Sequence, residues 1–330
     1  MNNSDKTINI QVDSGDATSY YVDVLVLKYA QSSYGLDLEI ARRLTGLGFD
    51  VSGLMPRPGQ FEIISSKGTT LAPKLLFVGV NTLSEFGYKE IRQFSRQALI
   101  AIREVAPEAK HIGVTLHGVN YGLDETESFE AELAGFLDAL HEGAIPSGLE
   151  LITFIERNES RVKRIKKLLG RMLPHKPSGE AVTLFLKDKS SEYPASLQSV
   201  GYGSESKPHI FVAMPFADEM EDIYHYGIRS AVKDAGYICE RADQSSFTGD
   251  ILDWVKRRIQ SSTLLIADLT NANPNVYLEV GYAWGCGVPT VFLVRDPEHL
   301  KFDVRGQRCL VYKSIKNLEE ILKNELAKLG

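Results

Sequence analysis

An acid set among apolar residues is a first place to look for chemistry. Glu279 is such a residue, with Val276, Leu278, Val280, Ala283 and Trp284 around it in the chain. Most helix glutamates are solvated at a surface. One in this setting is expected to be partly buried, which disfavours the charged form of a carboxyl and needs a reason. A buried carboxylate can act as a nucleophile, as a base, or as the counter-charge of a developing cation. Upstream, Asp268 ends an apolar run, and Asn271-Ala272-Asn273-Pro274-Asn275 follows it. Asn273-Pro274 reads as a helix start, because Asn accepts from the free backbone N–H groups of a first turn and Pro is preset for it. Glu279 then falls in the second turn. Asn275, four residues earlier, is expected to share its face, with Tyr282 and Ala283 on the other side. A carboxylate, an amide and a phenol are thus expected to converge. Each has a plain structural alternative: Asp268 as the cap of a loop, the asparagines as turn formers, Tyr277 and Tyr282 as core aromatics.

Such a cluster needs a scaffold. Apolar runs at residues 209–214, 237–241, 263–267, 290–294 and 309–312 predict five strands, and residues 218–235, 249–260, 274–286 and 317–329 predict the helices between and after them. Regular alternation of this kind predicts an α/β flavodoxin-like fold with a five-stranded parallel sheet. Ligands of such sheets sit at the carboxyl ends of the strands, where strand order reverses. Met214-Pro215-Phe216, Asp243 and Asp268 stand at or just beyond the ends of the first three strands.

The N-terminal half reads as a separate mixed α/β domain. Residues 21–27, 74–80, 111–116 and 149–155 have the apolar character of buried strands. Residues 88–105 repeat Ile91, Phe94, Ala98 and Ile102 at helical spacing, and 127–140 and 159–173 also read as helices. Between the halves the chain turns rich in Ser, Gly, Pro and Lys, with one apolar island at 182–186. The expected organisation is a domain over 1–175, a linker over 176–206 and a second domain over 207–330.

The chain has 330 residues, 43% hydrophobic and 24% charged, enough for two domains with cores of their own. A net charge of −6 argues against a protein built to coat nucleic acid, but not against a local phosphate pocket. Cys239, Cys286 and Cys309 form no paired metal or redox motif, and a sparse odd set reads as reduced thiols of a cytoplasmic protein. His111, His117 and His141 are not at ligand spacing, so no metal is expected. The basic run RVKRIKK, 161–167, reads as a solvated helix face. No apolar stretch approaches the ~20 residues that span a bilayer.

Three segments carry a resemblance: FVAMPF (211–216), IADLTNANPNVYLEVGYAWG (266–285) and VPTVFL (288–293). Over roughly residues 208–312 the chain resembles the nucleoside 2-deoxyribosyltransferase-like group and the bacterial TIR-like domains that share its architecture. That resemblance implies cleavage of the N-glycosidic bond between a ribose and a base, with Glu279 as the catalytic carboxylate. An oxocarbenium-like transition state suits a carboxylate that stabilises or captures it. The resemblance implies that Asp268 orients ribose hydroxyls or assists the departing base. It implies that Met214, Pro215 and Phe216 line the pocket, and that Asp243, Asn273, Asn275 and Tyr282 complete the substrate-binding set. NAD would be a substrate; no cofactor is implied.

In the N-terminal half, DVLVL (23–27), KLLFVGV (74–80), the helix from Tyr88 and IGVTLHGVNYG (112–122) resemble the macro-like N-terminal domain of leucyl aminopeptidases. Macro-like folds often hold ADP-ribose-type ligands in loops after strands, which makes Gly79, Asn81, Gly118 and Asn120 ligand candidates; the plain reading is turn glycines. Together the two resemblances imply a nucleotide N-glycosidase, with NAD as its first expected substrate, under a ligand-sensing domain. Such pairings are typical of bacterial antiphage defence, with a nucleotide-type activating ligand and a homo-oligomer formed on activation. No membrane or nucleic-acid partner is expected. Two alternatives stand: a metabolic nucleoside or nucleoside-monophosphate deoxyribosyltransferase or hydrolase, and a non-catalytic nucleotide-binding signalling module.

Overall fold

The computed structural model describes residues 7–51, 54–173, 182–185, 194–241, 249–300, 304 and 306–329. The chain divides into two units, Met1–Gly118 with Glu125–Ser204, and Val119–Asp124 with Glu205–Gly330.

The first unit is built on a seven-stranded sheet of β1 (Thr7–Ser14), β2 (Val24–Tyr29), β3 (Phe61–Ser65), β4 (Lys74–Gly79), β5 (His111–Thr115), β6 (Leu151–Glu156) and β7 (Val182–Phe185). Their order is β3-β4-β2-β5-β6-β1-β7. The five inner strands are parallel, and β3 and β7 are antiparallel edges. The helices are α1 (Gly35–Gly46), α2 (Tyr88–Val105), α3 (Glu125–His141), α4 (Glu159–Met172) and the single turn α5 (Ala195–Gln198). The strand β1 has no counterpart in the sequence reading. Its TINIQVDS composition is polar, yet Ile8, Ile10 and Val12 alternate into the core. The intervening polar residues are accommodated; Gln11 Nε2, for one, donates to Thr153 Oγ1 at 3.0 Å.

Helices α2 and α3 cross closely, because a Cβ on Gly135 would lie 2.0 Å from the Arg92 carbonyl oxygen. The same Arg92 holds residues 194–204, part of the stretch read as linker, onto this unit. Its guanidinium donates to the carbonyls of Leu197, Gln198 and Val200. It also grips Asp138 bidentately at 2.7 and 2.8 Å. Ser204 Oγ adds a hydrogen bond to Glu127.

The second unit carries β8 (His209–Ala213), β9 (Ile238–Glu240), β10 (Leu264–Asp268), β11 (Thr290–Val294) and β12 (Cys309–Val311). All pairs are parallel, in the order β12-β11-β10-β8-β9. Counted along the chain this is the flavodoxin-like 2-1-3-4-5 order, with the reversal between β8 and β10. Its helices are α6 (Asp218–Asp222), α7 (Arg229–Asp234), α8 (Gly249–Ser261), α9 (Pro274–Gly285) and α10 (Ile315–Leu326). The helix expected over 218–235 is continuous but passes through a π-helical stretch, Ile223–Ile228, between α6 and α7. There α10 presses close: a Cβ on Gly227 would lie 2.7 Å from the Leu318 side chain. The core runs from Ile210, Val212 and Ile266 of the sheet to Ile228, Leu318 and Leu322 of the helices. Among the described residues no helix is long and apolar enough to cross a membrane.

Candidate functional site

The carboxyl end of β10 is built around Asp268, which is completely buried. Its Oδ1 accepts from the Thr270 N–H at 2.9 Å and its Oδ2 from the Tyr312 hydroxyl at 2.7 Å. Burial pushes this carboxyl above the usual carboxylate range, against the pull of those two donors and of the Arg295 charge. Burial, followed by the Asp268 charge, likewise raises the Tyr312 phenol. The chain then turns through Asn271 and Ala272 at φ +64° and +48°. Asn tolerates the left-handed region, whereas Ala there crowds its Cβ against the backbone. Strain of this kind is stored where the surrounding fold over-determines it, often beside a functional edge. Asn273 closes the turn: its side chain accepts from the Asn275 N–H at 2.9 Å, and Pro274 opens α9.

Glu279 lies in the second turn of α9 and is only 7% exposed. It shares its burial with Val276, Val280 and Ala283. The expected neighbourhood is otherwise corrected. Leu278 is 66% exposed, and Trp284 is also exposed, although it meets the Phe292 ring edge-on at 5.9 Å. Nor do the amide and phenol join Glu279 in its burial. Asn275 is exposed. The half-buried Tyr282 is hydrogen-bonded to Cys286 one turn on, a bond that raises its phenol pKa. The reason lies in helix geometry. At ~3.6 residues per turn, positions four apart are rotated by ~40°, enough to put one in the interior and the other in solvent.

On the other side of the strand-order reversal, β8 leads into Met214, Pro215 and Phe216. The first two are buried and Phe216 is half-buried. Immediately past β9 stands Arg241, which the sequence reading placed in a strand and gave no role. Its guanidinium lies over the rings of Tyr224 at 3.9 Å and Phe216 at 4.5 Å. It donates to Glu221 Oε1 at 2.6 Å and faces Met214 Sδ at 3.7 Å. Burial raises the Glu221 carboxyl, but the His225 hydrogen bond and the Arg241 charge outweigh it and hold it down at about 2. A lone basic residue at the end of the second strand was the available signal. Asp243 lies outside the described residues.

In the first unit, Gly79 ends β4. A Cβ there would lie 2.1 Å from the Arg57 carbonyl, so the chain's own backbone accounts for the glycine. Asn81 follows, half-buried. Gly118 is buried at φ +84° after β5, and Asn120 beyond it is exposed. Two buried polar pairs escaped the sequence reading. Lys28 bonds Asp37 at 3.2 Å, and His117 Nδ1 meets Glu132 Oε1 at 2.9 Å. Burial raises the Asp37 carboxyl and Lys28 opposes it. Among the described residues, no group of three or more His, Cys, Asp or Glu side chains is placed to hold a metal.

No protein-family model matches the chain, and no curated protein matches it. Solved structures similar to it include a Trypanosoma brucei macrodomain in complex with ADP, 19% identical with a TM-score of 0.38, covering 49% of this chain and 69% of that one. An Oceanobacillus iheyensis macrodomain with MES bound is 15% identical with a TM-score of 0.37, covering 50% of this chain and 100% of that one. A Clostridium botulinum CMP N-glycosidase is 18% identical with a TM-score of 0.30, covering 35% of this chain and 98% of that one.

Proposed function

We propose that the second unit is a nucleotide N-glycosidase in which Glu279 acts at the anomeric carbon. One observation carries the reading. A nearly buried carboxylate sits on the helix that opens from the carboxyl end of β10, beside the reversal of strand order and behind a strained turn. As the base departs, positive charge spreads over the anomeric carbon and ring oxygen. A carboxylate already withdrawn from water meets that charge with little reorganisation, or captures the sugar as an ester that water then opens. Asp268, completely buried with its oxygens engaged by Thr270 and Tyr312, fixes the turn that leads to α9 and so acts as a positioning residue without touching the ribose. Asn273 holds the helix start. Met214, Pro215 and Phe216 form the facing wall, Asn275 and Tyr282 belong to the outer rim of the same proposed site, and Asp243 is kept as a substrate-binding candidate on the sequence alone.

The resemblance to TIR-like enzymes makes NAD the first substrate to test, as substrate and not cofactor. The same reading has the first domain, 1–175, sense a nucleotide-type ligand through the loops of Gly79, Asn81, Gly118 and Asn120. The linker, 176–206, joins it to the catalytic domain, 207–330, and activation forms a homo-oligomer in an antiphage response. The metabolic nucleoside or nucleoside-monophosphate enzyme is the second reading, and it shares the buried Glu279. The test incubates the full chain with NAD, nucleoside monophosphates and deoxynucleosides, with and without added nucleotides as activators, and follows free base by mass spectrometry. Free nicotinamide supports the first reading, and free base from monophosphates or deoxynucleosides the second. Nucleotide binding with no base released under any condition leaves the non-catalytic module.

A further inference from the structure

We infer that Arg241 is the phosphate-recognising residue of this site and makes it selective for 5′-phosphorylated nucleotides over free nucleosides; the inference rests on the glycosidase reading and assigns its substrate class. Arg carries five N–H donors in a planar fork. Among the described residues, Arg241 is given one strong side-chain acceptor, Glu221 Oε1 at 2.6 Å, and one weak one, Met214 Sδ at 3.7 Å. Yet its side chain is only 10% exposed. The guanidinium is thus largely withdrawn from water while, among the described residues, a single carboxylate balances its charge.

Its plane is fixed by the rings of Tyr224 and Phe216. A fork held in one plane is what bidentate recognition of a phosphate requires, and it is what Lys cannot supply. The partner it now holds is the more exposed one: the Glu221 side chain is 37% exposed and also meets His225 at 3.4 Å, so an incoming anion that takes over Arg241 leaves Glu221 with His225 and solvent. The placement also fits. Arg241 follows β9, Glu279 follows β10, and β8 lies between those strands. Two strand spacings, roughly 10 Å, separate β9 from β10. That span suits a ribose 5-phosphate whose anomeric carbon faces one side chain and whose phosphate faces the other.

The test is made on Glu279→Gln protein, so that binding is read without turnover. Calorimetric titrations compare AMP with adenosine, CMP with cytidine, and NAD with nicotinamide riboside. At least one phosphorylated ligand is expected to bind about ten- to a hundredfold tighter than its nucleoside, the range that charge-assisted hydrogen bonds span. Adding Arg241→Gln removes that difference and leaves nucleoside affinity unchanged, while Arg241→Lys restores it only in part. Preference for NAD alone points to a pyrophosphate-bearing substrate, and preference for AMP or CMP to a monophosphate. No phosphate preference in any pair, or a preference that survives Arg241→Gln at full size, overturns the inference. If Arg241→Gln folds poorly by circular dichroism, Glu221→Gln carries the test. Removing the competing carboxylate raises affinity for the phosphorylated ligand severalfold, and an unchanged affinity overturns the assignment. Base release is followed separately on the wild type. If no ligand loses its base while the Arg241-dependent preference stands, the glycosidase reading fails and the phosphate assignment does not.

Discussion

Tyr312→Phe isolates the hydroxyl that donates to Asp268 Oδ2 at 2.7 Å. The ring is almost wholly buried, and phenylalanine keeps its packing in the core of the second unit. What is lost is one donor to a carboxylate with no solvent exposure, leaving the Thr270 N–H on the other oxygen. An ionised buried acceptor deprived of a partner costs about 1–3 kcal/mol. The sign of the pH dependence follows from which form the hydroxyl stabilises. It favours the charged carboxylate, so its removal raises the Asp268 pKa beyond the upward shift that burial already imposes. The destabilisation is therefore largest above the raised pKa of Asp268, where the carboxylate is charged. It fades as the pH falls through the raised pKa of Asp268 and the carboxyl takes up a proton. Urea unfolding at a series of pH values, fitted with separate transitions for the two units, reads both quantities. A loss smaller than about 0.5 kcal/mol across the whole pH series, or one that does not change with pH, would refute the view that this hydroxyl holds an ionised Asp268 in place.

Two further substitutions test the first unit. Arg92→Ala removes the bidentate partner of half-buried Asp138 and strands three carbonyls of the 194–204 segment, so the unit is expected to lose about 3–5 kcal/mol in urea unfolding. Protease cleavage within 194–204 should rise in parallel, and unchanged cleavage contradicts the clamp. Gly135→Ala drives a methyl to 2.0 Å from the Arg92 carbonyl, forcing α2 and α3 apart at a cost of about 1–3 kcal/mol or more. A variant as stable as the wild type means the helices do not cross there as described.

The second sheet was legible because each of its strands is a short, fully or largely apolar run bounded by turn residues, and helices separate them evenly. Asn273-Pro274 marked the start of α9 to the residue, since capping chemistry is local. Elements whose signals depend on tertiary neighbours were not legible. The strand β1 buries only alternate residues, and α1 buries little beyond Ile40 and Leu44. Within the site, the burial of Glu279 goes with Val276, Val280 and Ala283, whereas Leu278 and Trp284, also apolar, face solvent. The exposure of Asn275 was not legible, because face sharing on a helix does not fix which flank the sheet covers. Arg241 was missed for a related reason. Its environment is assembled from Phe216, Glu221 and Tyr224, residues of another strand end and another helix, and no local pattern encodes that meeting.

The central claim is that Glu279 reacts at the anomeric carbon. The most direct measurement is the rate of base release by wild-type and Glu279→Gln protein, matched by circular dichroism and unfolding midpoint, on whichever nucleotide the wild type cleaves. The substitution keeps size and removes only the charge. The account predicts a fall of about a thousandfold or more with ligand affinity largely retained. Base release by Glu279→Gln within about tenfold of the wild type would contradict it, and would move the catalytic group elsewhere on the sheet edge.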